Sequence, residues 1–273
     1  MLRDAIGKAW VMRGAPFAAF ALALCVAVGA EAGDAKESPA IDWQSLVLRA
    51  TGSGPPDVNA LNPAQARLGA EKAARADALR ILMSEVQAVS ITASRTVGEE
   101  MASEETRGKV EAILRGYKVA AKRYYSDMGI ELDVEVGLAP LADLFASSPP
   151  PDPSKPRTPK FTGVVFDARK LKVVPALQPR VLDDSAEVLY SIGTLSAASR
   201  KAGGVCGFVR RLEDALKDPR VANKPLVIKV IKAEGSDIVI SREQRKKLAD
   251  SSAVLADGRV IIVGEPDDAR KLR

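Results

Sequence analysis

Leu46-Val47-Leu48-Arg49-Ala50-Thr51-Gly52-Ser53-Gly54 opens the block of residues 45–138 that decides the fold of this chain. Residues 45–51 are mostly aliphatic and predict a β-strand, which we expect the two glycines and the following Pro55-Pro56 to end. An Ala-rich helical segment comes next, then residues 89–97 with strand-like composition, and finally an alternating hairpin. This order indicates one compact α+β module.

The Ala-rich segment carries the signals of a helix start. Asn62 is a good N-cap residue, Pro63 suits the first helical position, and Gln65 is placed to reach back in a capping box. The helix is predicted to run to about Val86. Its expected buried face consists of small or aliphatic residues at helical spacing: Ala66, Ala70, Ala73, Ala74, Ala78, Ile81, Leu82 and Val86. A stripe built chiefly of alanine allows close approach to a sheet or helix, within the chain or on a neighbouring subunit.

A second helix is predicted over residues 103–116, and a hairpin follows it. The hairpin arms are residues 117–125 and 130–136, because aliphatic and acidic side chains alternate in the second arm. The alternating residues are Ile130, Leu132, Val134 and Val136 on one face and Glu131, Asp133 and Glu135 on the other. We expect Lys118 and Lys122 to face these acids across the sheet.

Four features of residues 45–138 together resemble a known family. They are the Ala-Thr-Gly-x-Gly strand end, the Asn-Pro-Ala-Gln-Ala-Arg helix start, a Gly-Tyr after a second helix, and the alternating hairpin. The family is that of the bacterial envelope lipoproteins, which includes FlgP-type flagellar basal-disc proteins and twenty-kilodalton membrane-antigen lipoproteins. The resemblance implies a small strand-helix-strand-strand domain that is exported and non-enzymatic. In the flagellar members, it further implies assembly into rings or discs around the motor.

The N-terminal residues predict export. Residues 1–14 are basic, and residues 15–30 form an uncharged apolar run that ends in small residues, so residues 1–30 are predicted to be a signal peptide. The expected location is therefore the periplasm. Cys25 lies in a sequence that partly resembles a lipobox, but Leu24 stands where a small residue is expected. Cys25 is either discarded with the signal peptide or lipidated, and lipidation would tie the protein to the outer membrane.

Composition divides the rest of the chain into two domains. The FlgP-like domain covers residues 40–146, a Pro-rich linker covers residues 147–160, and a second α+β domain covers residues 161–273. In the second domain, strands are predicted near residues 161–169, 187–190, 226–231, 237–240 and 260–263, and helices near residues 209–216 and 242–248. A sheet covered by helices is the expected result.

The sequence offers little catalytic chemistry. It contains no histidine, which excludes Ser-His-Asp and Cys-His nucleophiles and every zinc site that uses histidine. We therefore expect neither an enzyme nor a cofactor. A net charge of +5 with interspersed signs and few aromatic residues also argues against nucleic-acid binding. Residues 203–207 lack the Lys-Ser/Thr of a phosphate loop, so they predict a turn, with Cys206 as a small core or turn residue.

Two pairs of charged residues remain as candidate sites. Asp167 and Arg169 follow a buried strand and form either a polar site or a structural ion pair. Asp183 and Asp184 could offer oxygen atoms to a cation, but calcium needs six to eight oxygen ligands, so a turn is the preferred interpretation.

Two functions from different classes fit these observations. The first is a structural or assembly protein of the cell envelope, part of a flagellum-associated ring, that forms homo-oligomers or binds envelope proteins. The alternative is a periplasmic binding module in which residues 167–178 and the cleft between the domains hold a small ligand or a peptidoglycan fragment.

Overall fold

The computed structural model describes residues 41–149 and 159–266. The predicted signal peptide, Cys25 and residues 150–158 of the predicted linker lie outside these ranges. The first part contains β1 (Ile41–Asp42), β2 (Val47–Gly54), α1 (Pro63–Gln87), β3 (Ser90–Thr92), β4 (Arg95–Thr96), α2 (Val97–Glu100), α3 (Glu104–Arg115), β5 (Lys118–Tyr124), β6 (Ile130–Gly137) and α4 (Ala139–Leu144). The predicted strand at residues 89–97 is thus a short hairpin that leads into a helical turn.

The second part carries the larger sheet. Its elements are β7 (Gly163–Val173), β8 (Val181–Asp183), β9 (Val188–Tyr190), α5 (Ala197–Gly203), β10 (Gly207–Val209), α6 (Leu212–Lys217), β11 (Pro225–Glu234), β12 (Asp237–Ile240), α7 (Arg242–Leu248), α8 (Ser252–Ala256) and β13 (Val260–Pro266). The protein is therefore α+β, as predicted. The helix expected over residues 209–216 begins only at Leu212, because the preceding residues pair as β10.

The first sheet is antiparallel, in the order β1-β2-β6-β5, and α1 packs on β2 and β6. Gly52 and Gly54 were predicted to end the strand, but both lie within β2. A Cβ at Gly52 would lie 2.2 Å from the carbonyl oxygen of Ala74, and one at Gly54 would lie 1.9 Å from that of Ala70. The glycines therefore allow the strand to approach α1 more closely than any other residue would.

The start and the buried face of α1 are confirmed. The Oδ1 of Asn62 accepts a hydrogen bond from the backbone N–H of Gln65 at 2.9 Å, and the Oε1 of Gln65 accepts one from the N–H of Leu61 at 3.1 Å. The reach-back thus goes one residue further than a capping box requires. The fully buried positions are Ala66, Ala70, Ala74, Ala78, Leu82 and Val86, and Ala73 and Ile81 are half-buried. The chain's own sheet covers the fully buried positions of this stripe.

The hairpin of β5 and β6 is confirmed, but one lysine was placed on the wrong face. The aliphatic side chains of β6 are buried, whereas the register of β5 shifts between Val119 and Ala121. This bulge reverses the alternation of the residues after it. Lys122 consequently reaches α1, where its Nζ lies 2.9 Å from Glu71 Oε1, and Arg123 pairs with the outward acids instead.

The second sheet is mixed, in the order β10-β13-β7-β11-β12-β8-β9. The neighbours from β10 to β11 are parallel, as are β12 and β8, whereas β11 with β12 and β8 with β9 are antiparallel. The register of β7 against β13 also shifts, so that residues 168–171 lie opposite Gly264 alone.

The two parts share one buried interface. The backbone N–H groups of Leu177 and Gln178 donate to the carbonyl oxygens of Ser90 and Ile91 at 2.9 and 2.8 Å. The side-chain amide of Gln178 donates to the carbonyl oxygen of Ala142 at 2.8 Å. A single cluster of buried apolar residues runs through both sheets. The predicted domains therefore pack as one compact unit. In the described ranges, no helix is both long and apolar enough to cross a membrane.

Candidate functional site

A cavity of about 440 Å³ lies between the two parts of the chain. One wall is the segment of residues 41–44, which includes β1. The other wall comes from Val173, Val209 and Gly264, which lie at or near the carboxyl ends of β7, β10 and β13. These three strands are adjacent and parallel, so their carboxyl ends meet at one edge. Ligands of open parallel sheets bind outside this edge.

Backbone contacts bring the two walls together. The N–H of Phe208 donates to the carbonyl oxygen of Trp43 at 3.0 Å, and the rings of these residues meet edge to face with their centroids 6.0 Å apart. A Cβ at Gly207 would lie 2.8 Å from the carbonyl oxygen of Gln44, so the close approach requires glycine there. The side-chain amide of Gln44 donates to Asp218 at 2.8 Å and fixes the segment from the other side. Trp43 and Phe208 thus form an ordered aromatic wall.

Most charged groups of the cavity are paired within the protein. The guanidinium of Arg211 donates two hydrogen bonds of 3.0 Å to Asp214 and lowers the pKa of that carboxyl. Burial of Asp42 raises its pKa, but hydrogen bonds from Ser45 and Gln44 and the charge of Arg49 outweigh burial, and the net shift is downward. Both carboxyls are therefore ionised at neutral pH.

Arg210 is the exception among the cavity's charges. Its side chain lines the cavity directly after β10, and it forms no hydrogen bond or ion pair with any residue in the described parts of the chain. Arg210 is exposed, and because a guanidinium does not lose its proton in proteins, it brings to the cavity lining one positive charge that has no ion-pair partner.

Asp167 and Arg169, the polar pair predicted from the sequence, lie together but not in the cavity lining. The Nε and Nη2 atoms of Arg169 donate to the two carboxylate oxygens of Asp167 at 2.9 and 2.8 Å. Arg169 lies in the segment that the register shift of β7 excludes from the ladder, which lets its side chain turn back on Asp167. This pairing lowers the pKa of Asp167. Of the predicted region of residues 167–178, Val173 and Pro175 line the cavity.

Asp183 and Asp184 accept hydrogen bonds from the protein itself. The Oδ1 of Asp183 accepts bonds from the backbone N–H groups of Ser185 and Glu187 at 2.9 and 3.0 Å, and its Oδ2 accepts one from Arg245. Asp184 accepts one from Arg242 at 3.1 Å. Asp183 and Asp184 therefore lie at the turn that the sequence analysis preferred, and Arg242 and Arg245 stabilise it. In the described ranges, no three acidic or cysteine side chains are grouped so as to hold a metal ion.

Cys206 lies in the core, as the sequence analysis allowed. It is 1% exposed, and burial raises the pKa of its thiol to about 12. Such a thiol is a poor nucleophile at neutral pH because the thiolate is the reactive form.

Residues 163–266 are similar to the family described as Treponema pallidum Tp0624, second domain. The match runs from β7 to β13 and so takes in the whole mixed sheet, including the wall of the cavity that carries Arg210. Trp43 lies outside the matched residues. No curated protein matches the chain. The resemblance of residues 45–138 to the FlgP-type family stays a prediction.

Sequence reasoning did not find Trp43, Phe208 or Arg210. Two signals were present: Trp43 is the only tryptophan after residue 30, and Arg210-Arg211 follows the short apolar run of β10. Neither signal indicates that these residues meet, since more than half of the chain separates them.

Proposed function

We propose that this chain is an exported, non-catalytic binding protein of the cell envelope that holds a small ligand in the cavity between Trp43 and the carboxyl edge of the second sheet. The observation that carries the proposal is the cavity itself. Its volume of about 440 Å³ lies within the range of roughly 300–1,000 Å³ usual for small-molecule sites. Its aromatic wall and the polar groups that converge on it also match such sites. Export rests on the composition of residues 1–30.

The chain offers a direct reporter for this function. After removal of residues 1–30, Trp43 is the only tryptophan left, and it lines the cavity. Its fluorescence therefore reports on the site alone. The test is to titrate the mature protein with N-acetyl amino acids, short peptides, muropeptides and fatty acids, and to follow Trp43 emission together with the melting temperature.

We expect at least one class of compound to change the emission saturably and to raise the melting temperature, because a ligand that binds only the folded state stabilises it. The control is Trp43→Phe, in which the melting-temperature rise should shrink and the fluorescence signal should vanish. If no compound in the panel does either, the proposal is wrong.

An assembly role is the second candidate, and one observation favours it. The last strand of the first sheet, β5, has no strand paired with its outer edge within the described ranges. Its exposed side chains include Val119 and Tyr124, followed by Tyr125. An uncovered edge with apolar side chains is a template for pairing with another chain. It would suit a flagellum-associated ring or another homo-oligomer.

Light scattering of the mature protein tests this role. We expect assemblies whose mass rises with concentration and which are lost in Val119→Lys, since a charged side chain on an exposed edge strand opposes pairing with another chain. The same exchange at an exposed loop position, Val58→Lys, is the control. A monomer at every concentration would remove the assembly candidate and leave the binding function unaffected.

Lipidation at Cys25 belongs to the same proposal of an envelope protein. Intact-mass measurement of the protein made in a bacterial host distinguishes a diacyl or triacyl chain starting at Cys25 from an unmodified chain starting near Glu31. The first result would place the protein on a membrane, and the second would make it a free periplasmic protein.

A further inference from the structure

Resting on the proposed binding function, we infer that the cavity selects a small carboxylate whose other end is apolar, with Arg210 binding the carboxylate. The charged residues that line the cavity differ in whether they have partners. Asp214 pairs with Arg211, and Asp42 accepts backbone hydrogen bonds from Gln44 and Ser45. The Nη1 of Arg49 lies 3.6 Å from the Oδ2 of Asp42, while its Nε donates to Glu135 at 2.8 Å. Arg210 alone has no such partner in the described parts of the chain.

The number of free charges indicates the kind of anion. A guanidinium binds a carboxylate through two parallel N–H···O hydrogen bonds, and one such pair neutralises one charge on each side. A phosphate monoester carries nearly two negative charges at neutral pH and would leave one of them unmatched in a cavity whose other cation, Arg211, already holds Asp214. The single free guanidinium therefore suits a monoanion.

The rest of the cavity indicates the other end of the ligand. Ile41, Trp43, Val173, Pro175, Phe208 and Val209 line it. These side chains offer contact area to an aliphatic or aromatic group and no hydrogen-bonding partner beyond the indole N–H. The volume of about 440 Å³ lies within the range of roughly 300–1,000 Å³ usual for small-molecule sites, which fits a ligand the size of an N-acylated amino acid.

A matched series of four probes tests the assignment: 4-phenylbutanoate, 4-phenylbutanamide, 4-phenylbutylamine and 4-phenylbutyl phosphate. They share one apolar end and differ in the charge of the other. Dissociation constants come from Trp43 emission, excited where the phenyl group does not absorb, and from calorimetry. We expect the carboxylate to bind on the order of tenfold more tightly than the amide, since hydrogen bonds to charged groups exceed neutral ones by about that factor. The amine should bind most weakly.

Arg210→Gln should remove the preference for the carboxylate over the amide, and Arg210→Lys should keep part of it. Arg115→Gln is the matched control, because it removes the same charge from α3, where Arg115 pairs with Glu111 and lines no part of the cavity. It should keep the wild-type preference. A melting temperature of Arg210→Gln near that of the wild type shows that the variant is folded.

Each other outcome overturns the inference in a recognisable way. Equal binding of carboxylate and amide by the wild type refutes charge selection and leaves the binding function standing. Tighter binding of the phosphate refutes the assignment to a monoanion. No binding of any of the four at millimolar concentration refutes the inference, whereas the proposed function falls only if the wider panel of compounds fails as well.

Discussion

At the scale of single residues, Gly52 marks a close approach between β2 and α1. A Cβ there would lie 2.2 Å from the carbonyl oxygen of Ala74, which is backbone and has no rotamer to escape into. We therefore predict that Gly52→Ala lowers the free energy of unfolding by about 3 kcal/mol, the upper part of the range for overpacked sites. Urea denaturation followed by circular dichroism measures the change.

Gly137 is the control for that substitution. It lies in β6 of the same sheet, and a Cβ there would meet nothing within 4 Å. Gly137→Ala should stay within about 0.5 kcal/mol of the wild type. If both variants were equally stable, close packing of α1 on β2 would not be the reason for the glycine.

A second residue-scale prediction concerns Asp183. Burial raises its pKa, but hydrogen bonds from the backbone of Glu187 and Ser185 and from Arg245 outweigh burial and bring it below the ordinary value of 3.8. A carboxyl whose pKa falls on folding stabilises the protein above its unfolded-state pKa, and this stabilisation is lost as the pH falls through the folded-state pKa. Asp183→Asn should thus be less stable than the wild type at neutral pH, and the difference should narrow below pH 3.8.

Urea midpoints of the two proteins at neutral and acidic pH give this difference. Asp184→Asn is the matched control, since Asp184 forms an exposed pair with Arg242. Its effect should be small at every pH. A difference for Asp183→Asn that stayed constant between neutral and acidic pH would contradict the prediction.

At the scale of elements, the start of α1 depends on one side chain. Asn62 accepts the N–H of Gln65 at 2.9 Å and so satisfies one of the free donors of the first turn. Asn62→Ala should lower the free energy of unfolding by about 1 kcal/mol. Thermal denaturation measures the loss.

Asn59 provides a nearby comparison. It is exposed in the loop before α1, and its backbone N–H donates to Asp57 at 3.0 Å, a bond that alanine keeps. Asn59→Ala should therefore melt close to the wild-type temperature. Equal effects of the two substitutions would mean that the cap contributes nothing measurable.

At the scale of the whole molecule, the shared interface predicts a single unfolding transition. Leu177 is 1% exposed and, with Gln178, hydrogen-bonds to β3, while Phe208 hydrogen-bonds to Trp43. Neither sheet can then unfold without breaking contacts of the other. Trp43 fluorescence and far-UV circular dichroism should give coincident urea transitions.

Leu177→Ala tests directly whether the interface couples the unfolding of the two sheets. Removal of a buried leucine side chain costs about 2–5 kcal/mol, and both probes should shift together if the interface couples the two sheets. Two separate transitions, with only one of them moved by the substitution, would show that the sheets unfold independently.

The amino-acid sequence alone was enough to place α1 with its cap, the buried face of that helix and the alternation of β6, because capping and side-chain periodicity act between residues a few positions apart. It was not enough for the candidate site. Val173 and Pro175 fell within the predicted binding region, but Trp43 and Arg210 did not.

Only the tertiary structure showed that Trp43 and Arg210 belong to the candidate site. It also decided the roles of Gly52 and Lys122. A glycine in a strand and a glycine that ends one look alike until the helix opposite is placed, and one bulged residue reverses every side chain after it. The cavity exists because residues 41–44 meet the carboxyl ends of strands that begin more than one hundred residues later. Such a meeting depends on how remote segments pack, and no local pattern of residues encodes it.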